Sequence, residues 1–206
     1  IDYKQLPYLM NQYKISYSYS GTLWAENLEE SQNNKSGNGQ LLAVASSYRN
    51  NHNNESNNRS LGSTKLRNLR EALDDLPAAR EEVEMLAKRF KGDFWFDQEA
   101  NEANFKAKSA NYDIIHLAMH GLLDKEQPIL SSLAFTDNKD SLEDNFVQVF
   151  EISHMELSAK LIVLSACETG YGSFKNNEGV MSIGRAFMYA GVPSMVISLW
   201  QVNDLS

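Results

Sequence analysis

Apolar and polar positions follow one another along this chain in short blocks, each with its own period. "YKISYSYS" (13–20) alternates in polarity as a half-exposed strand does, and "GTLWAENLEE" after it reads as a short helix with Ser20 as N-cap. "LLAVASSY" (41–48) is an apolar run suited to a buried strand. "DDLPAAREEVEMLAKRFKGD" predicts a helix, with Pro77 in the first turn, Ala79, Val83, Leu86, Ala87 and Phe90 at helical spacing, and Gly92 just past the end. A short strand "DFWF" (93–96), a second helix "QEANEANFKAKSAN" and the β-prone run "YDIIHLAMHG" (112–121) come next. Between Leu122 and Met155 the pattern loosens into a hairpin, "SSLAFTD" and "DNFVQVFEI" across the turn-rich "NKDSLED". "KLIVLSA" (160–166) is then a strand, "EGVMSIGRAFMYAG" (178–191) a helix with Val180, Ile183, Gly184 and Phe187 on one face, and "PSMVISLW" (193–200) another strand.

Strand and helix in alternation, with strands apolar throughout, predict an α/β fold in which a mostly parallel sheet is covered on both faces. "SQNNKSGNGQ" and "RNNHNNESNNRSLGS" interrupt that rhythm as loops, because neither carries the apolar side chains needed to pack. At 206 residues with 42% apolar composition the chain can bury a core of its own, so one domain is expected. The net charge of −8 argues against nucleic acid or an anionic membrane as a partner. No apolar stretch approaches the roughly 20 residues that cross a bilayer, and no targeting segment is visible. A single cysteine excludes an internal disulfide and fits a reducing compartment, so the expected location is cytoplasmic. The chain begins without methionine and stops just after a strand pattern, so it reads as a fragment lacking upstream regions and cut short at its C-terminal end.

That cysteine, Cys167, stands where "KLIVLSA" gives way to polar residues and glycine. Core filler, redox thiol, metal ligand and nucleophile are all open to it on its own. His120 occupies the matching place after "YDIIHLAM" and is followed by Gly121. Ligands of open parallel sheets bind beyond the carboxyl ends of the strands, so the two side chains face one crevice if their strands are parallel neighbours. An imidazole beside a thiol raises the thiolate fraction, which is the arrangement of a cysteine nucleophile with its base. Backbone amides such as those of Gly121 and Cys167 suit the oxyanion that attack on a carbonyl creates. A zinc pair from "HLAMH" is disfavoured, because residues four apart on a strand are separated by roughly 13 Å. His116 is therefore read as a packed histidine, and no metal or other cofactor is expected. Glu168 and Glu178 are read as solvated loop acids, and the absence of a Lys followed by Ser or Thr excludes a phosphate-binding loop from "ETGYGSFKNNEG".

"HLAMHG", "LIVLSACETG" and "NNEGVMSIGRAFMYAGVPSMVISLWQVND" closely resemble the CHAT domain, a caspase-like cysteine peptidase module related to separase and often found behind tetratricopeptide repeats; "LPAAREEVEMLAKRF" resembles an upstream block of the same family. The resemblance implies a caspase-like three-layer αβα sandwich with the hairpin inserted between the His and Cys strands. It implies His120 as general base, Cys167 as nucleophile, and the amides of Gly121 and Cys167 as oxyanion hole. It further implies a substrate-flanking strand containing Ser198 and Trp200, and Asp204 as an acid selecting Arg or Lys before the cut bond. The expected activity is that of a cysteine endopeptidase on a protein or peptide substrate, with upstream tetratricopeptide repeats or a regulatory protein as partner. Two rivals stand against it: a catalytically silent protein-binding module, and a redox-sensing thiol that would need a resolving cysteine from elsewhere.

Overall fold

A computed structural model describes residues 8–9, 12–14, 21–22, 25, 29, 39–48, 72–124, 126–138, 143–165 and 178–197, with residues 178–182 described in backbone only. The chain divides into two compact units, Ile1–Ser36 and Gly37–Ser206. In the first, the Leu9 carbonyl accepts from the N–H groups of Gln12 and Tyr13 at 2.9 and 2.8 Å. Gly21, Thr22, Ala25 and Glu29 are helical, as the pattern predicts; Tyr13 and Lys14, the first two residues of the predicted strand, are not in a strand, and the rest of it, with the Ser20 cap, lies outside the described residues.

The second unit is built on five parallel strands: β1 (Leu41–Ala45), β2 (Gly92–Phe96), β3 (Ile114–Ala118), β7 (Leu161–Leu164) and β8 (Met195–Ile197). Their order across the sheet is β2-β1-β3-β7-β8. Both faces of β1 are buried, which is why its sequence is apolar without alternation. One face packs on helix α1 (Pro77–Arg89) through Leu41, Ala43, Ala45, Ala118, Ala79 and Val83. The other carries Leu42, Val44, Ile115, Leu117, Ile162 and Leu164 against Phe105 of α2 (Glu102–Lys108), Ile152 of α3 (Val149–Ile152), and Ile183 and Phe187 of α4 (Glu178–Tyr189). Phe105, Phe187 and Ile115 are wholly buried, and a side chain of that size contributes about 1.5–3 kcal/mol when removed from water.

Helix α1 begins at Pro77 as expected but ends sooner than its apolar period suggests. Phe90 caps it in extended geometry (φ −122°, ψ 156°), so its ring leaves the apolar stripe and is 56% exposed; Ala87 is exposed as well. Gly92 is not the helix stop but the first residue of β2, paired with Leu41, whose carbonyl oxygen occupies the space any Cβ at this position would need. Glycine is needed here for close approach of two strands rather than for a turn. Helix α2 starts where Asn101 Oδ1 accepts the Asn104 N–H at 2.8 Å.

The segment between β3 and β7 forms a second, antiparallel sheet of three strands, β4 (Gly121–Leu122), β5 (Ser132–Ala134) and β6 (Phe146–Gln148), in that order. The hairpin is therefore present, but its second arm is shorter than predicted. Val149–Ile152 is helix, because Glu151 reaches back to accept the Gln148 N–H at 2.8 Å and supplies a first-turn cap. No helix among the described residues is long and apolar enough to cross a membrane.

Candidate active site

Strands β3 and β7 are neighbours and parallel, so the two blocks that carry His120 and Cys167 do run side by side. Their register pairs Ile114 with Leu161 and Leu117 with Leu164, an offset of 47 positions. Cys167 follows His120 by the same 47 positions in sequence. Each residue thus stands three positions beyond the last paired residues, Leu117 and Leu164. Cys167 itself lies outside the described residues, as do Glu168, Ser198, Trp200 and Asp204.

His120 is 4% exposed, and two contacts among the described residues hold its ring. Its Nε2 is 2.7 Å from the carbonyl oxygen of Asp74, in the segment leading into α1. A carbonyl only accepts, so this nitrogen carries the proton, and in the neutral ring Nδ1 keeps its lone pair. Among the described residues that buried Nδ1 has no hydrogen-bond partner. The Tyr48 ring packs on the imidazole with centroids 4.8 Å apart.

The backbone of His120 is fixed by the same tyrosine. Ala134 of β5 donates its N–H to the His120 carbonyl at 2.9 Å. The reciprocal bond of that antiparallel pair is not made directly: the His120 N–H donates to the Tyr48 hydroxyl at 3.1 Å, and the hydroxyl donates to the Ala134 carbonyl at 2.7 Å. Tyr48 thus completes a ladder rung by insertion. Because the rung falls at His120–Ala134, the next pair, Gly121–Leu133, is of the non-hydrogen-bonded type. The Gly121 amide therefore points away from β5.

Tyr48 is placed in turn by Asp75, whose Oδ1 accepts the Tyr48 N–H at 3.0 Å, and by Ser47, whose N–H donates to Thr136 Oγ1 at 2.9 Å. None of Tyr48, Asp74 or Asp75 stands out in the sequence. The available signal was position alone: Tyr48 ends an apolar run at the carboxyl edge of a parallel strand, where functional groups collect.

His116 does not converge with His120. It is buried at 6% exposure in β3, with Nε2 3.5 Å from Glu82 Oε1 on α1. Burial alone would push the Glu82 carboxyl up, but His116 and the hydroxyl of Ser165 outweigh it and hold it below the usual carboxylate range. Elsewhere, Glu102, Glu143 and Glu151 place carboxylate oxygens within 4.8 Å of one another. The Lys106 ammonium sits among them at 2.6, 2.9 and 2.6 Å, supplying the positive charge that a bound cation would bring.

The family model for the CHAT domain matches residues 2–206. No curated protein matches the chain. A mostly parallel sheet between helical layers, with an antiparallel insertion after the histidine strand, is the caspase-like α/β sandwich expected from the motifs. The chain belongs to the CHAT domain family, whose relatives are caspase-like peptidases.

Proposed function

We propose that this domain hydrolyses peptide bonds in protein substrates through a Cys167 thioester, with His120 as base and acid. The observation that supports it best is the state of His120. Its Nε2–H is fixed on a backbone carbonyl, which leaves Nδ1 as the nitrogen able to take a proton, buried and without a partner among the described residues. The matching offset of 47 between the β3–β7 register and the His120–Cys167 spacing favours the thiol as the group that nitrogen serves.

In this mechanism Nδ1 takes the proton from Sγ and the thiolate attacks the scissile carbonyl carbon. The amides of Gly121 and Cys167 receive the developing oxyanion. Protonated His120 then gives its proton to the leaving amine, and the acyl-enzyme remains. Water, deprotonated by the same nitrogen, hydrolyses the thioester and restores the thiol. The Asp74 carbonyl keeps the ring oriented through both transfers. Asp204 would favour Arg or Lys before the cut bond, and the strand containing Ser198 and Trp200 would pair with the substrate backbone.

A randomised peptide library incubated with wild type and Cys167→Ala tests the reading. Cleavage by wild type alone is expected. Equal cleavage by both, or by neither under any activating condition, overturns it and leaves a protein-binding module. Cleavage confined to acidic or apolar positions removes only the role given to Asp204.

A further inference from the structure

Glu82 is a carboxylate set among apolar residues, with its side chain 38% exposed. It lies on the stripe of α1 that includes Ala79, Val83 and Leu86 and that faces the sheet. A charge on such a stripe costs free energy unless dedicated partners receive it. Glu82 has two. Its Oε2 accepts from Ser165 Oγ at 2.5 Å, and its Oε1 is 3.5 Å from His116 Nε2.

Those partners belong to the two strands that lead to the proposed dyad. Ser165 directly follows β7, and its N–H donates to the Leu117 carbonyl of β3 at 2.9 Å. The backbone of Ser165 is thus tied to β3 and its side chain to α1. Cys167 comes two positions later in the chain, and His116 precedes His120 by four. A hydroxyl bonded to a carboxylate makes one of the stronger and more directional hydrogen bonds in proteins.

We propose that Glu82 is a positioning residue for Cys167: through Ser165 Oγ it fixes the exit of β7, two positions before the thiol. The inference rests on the Cys–His reading above.

Because Cys167 is the single cysteine, alkylation by iodoacetamide reports on it alone. The readout is the rate at about pH 6.5 divided by the rate at about pH 9.5. A free thiol is only about 1% ionised at the lower value, so the ratio measures pairing with the imidazole and cancels accessibility. Glu82→Leu and Ser165→Ala should each lower the ratio about tenfold, and the double variant no further, since both remove one interaction. Glu82→Gln keeps an oxygen acceptor at the same reach and should stay within about threefold of wild type. A merely structural role would lower the melting temperature while leaving the ratio of the folded protein unchanged. His120→Ala is the control for the underlying chemistry and should bring the ratio to that of a free thiol. If His120→Ala collapses the ratio while Ser165→Ala leaves it intact, the role of Glu82 is refuted and the dyad stands. If His120→Ala leaves it intact too, both fall. Should Glu82→Leu fail to fold, Ser165→Ala, which removes only a hydroxyl, decides between the two outcomes.

Discussion

Tyr48→Phe removes one oxygen atom, and the structure states what that atom does. Two backbone groups depend on it: the His120 N–H, 3.1 Å away, and the Ala134 carbonyl, 2.7 Å away. Tyr48, His120 and Ala134 are all buried, at 4%, 4% and 0% exposure, so water has no ready route to replace the hydroxyl. Leaving a buried backbone group unmatched costs about 1–3 kcal/mol each, and sparing the hydroxyl its own desolvation offsets part of the total. A net loss of about 2–3 kcal/mol follows. For a chain of this length that lowers Tm by about 4–12 °C, measurable by calorimetry or circular dichroism. The ring remains in Phe and keeps its packing on the imidazole, so the loss belongs to the bridged rung and not to the stack. The variant should also reduce thiol alkylation at neutral pH, because the rung fixes the backbone that aims His120. A Tm within about 1 °C of wild type would refute the reasoning, since it would mean that β4 and β5 close the gap directly.

Other perturbations test other links. Gly92→Ala forces a Cβ against the Leu41 carbonyl; separating β1 from β2 there should cost about 1–3 kcal/mol in denaturant unfolding, and a neutral result would contradict the close approach. Asn101→Ala deletes the cap of α2 and the Nδ2–H bond to the Gln98 carbonyl at 2.6 Å and should cost about 1–3 kcal/mol, read by the same unfolding curves, with Asn101→Asp restoring only the cap. The Glu102 carboxyl is pushed up to about 7 by burial, against the pull of Lys106 and with the repulsion of Asp144 and Glu143 added. A raised carboxyl binds its proton more tightly folded than unfolded, so its contribution is complete below about pH 4.5 and is lost as pH rises through about 7. Stability measured across that window should decline by at most about 3 kcal/mol on this account, and Glu102→Gln should flatten the slope. Burial pulls the Lys106 ammonium down, but Glu102, Glu151 and Glu143 outweigh it and raise it, so it stays charged throughout the window.

Local order was legible because it depends on neighbours in sequence. Pro77 at the start of α1, the unbroken apolar runs of β1 and β7, the mostly apolar β3, and the face of α4 with Ile183 and Phe187 follow from period and side-chain type, and they suffice to imply a parallel sheet with two covered faces. The motifs around His120 and Cys167 indicated the family on their own. Where sequence reading overran, a local competitor decided: Glu151 turned the predicted end of a strand into a helix by capping Gln148, and Phe90 left α1 one residue beyond its last turn.

Tertiary structure alone decided what holds the histidine. The Asp74 carbonyl that sets its tautomer is a backbone atom and leaves no mark on residue choice. The Tyr48 hydroxyl acts across 72 positions of chain and Glu82 reaches Ser165 across 83, contacts that exist only once β1, β3, β7 and α1 share one register. A sequence records which side chains can make such bonds. Which atoms meet is fixed by strand order and by the 47-position offset between β3 and β7, and both emerge only when the whole sheet is assembled.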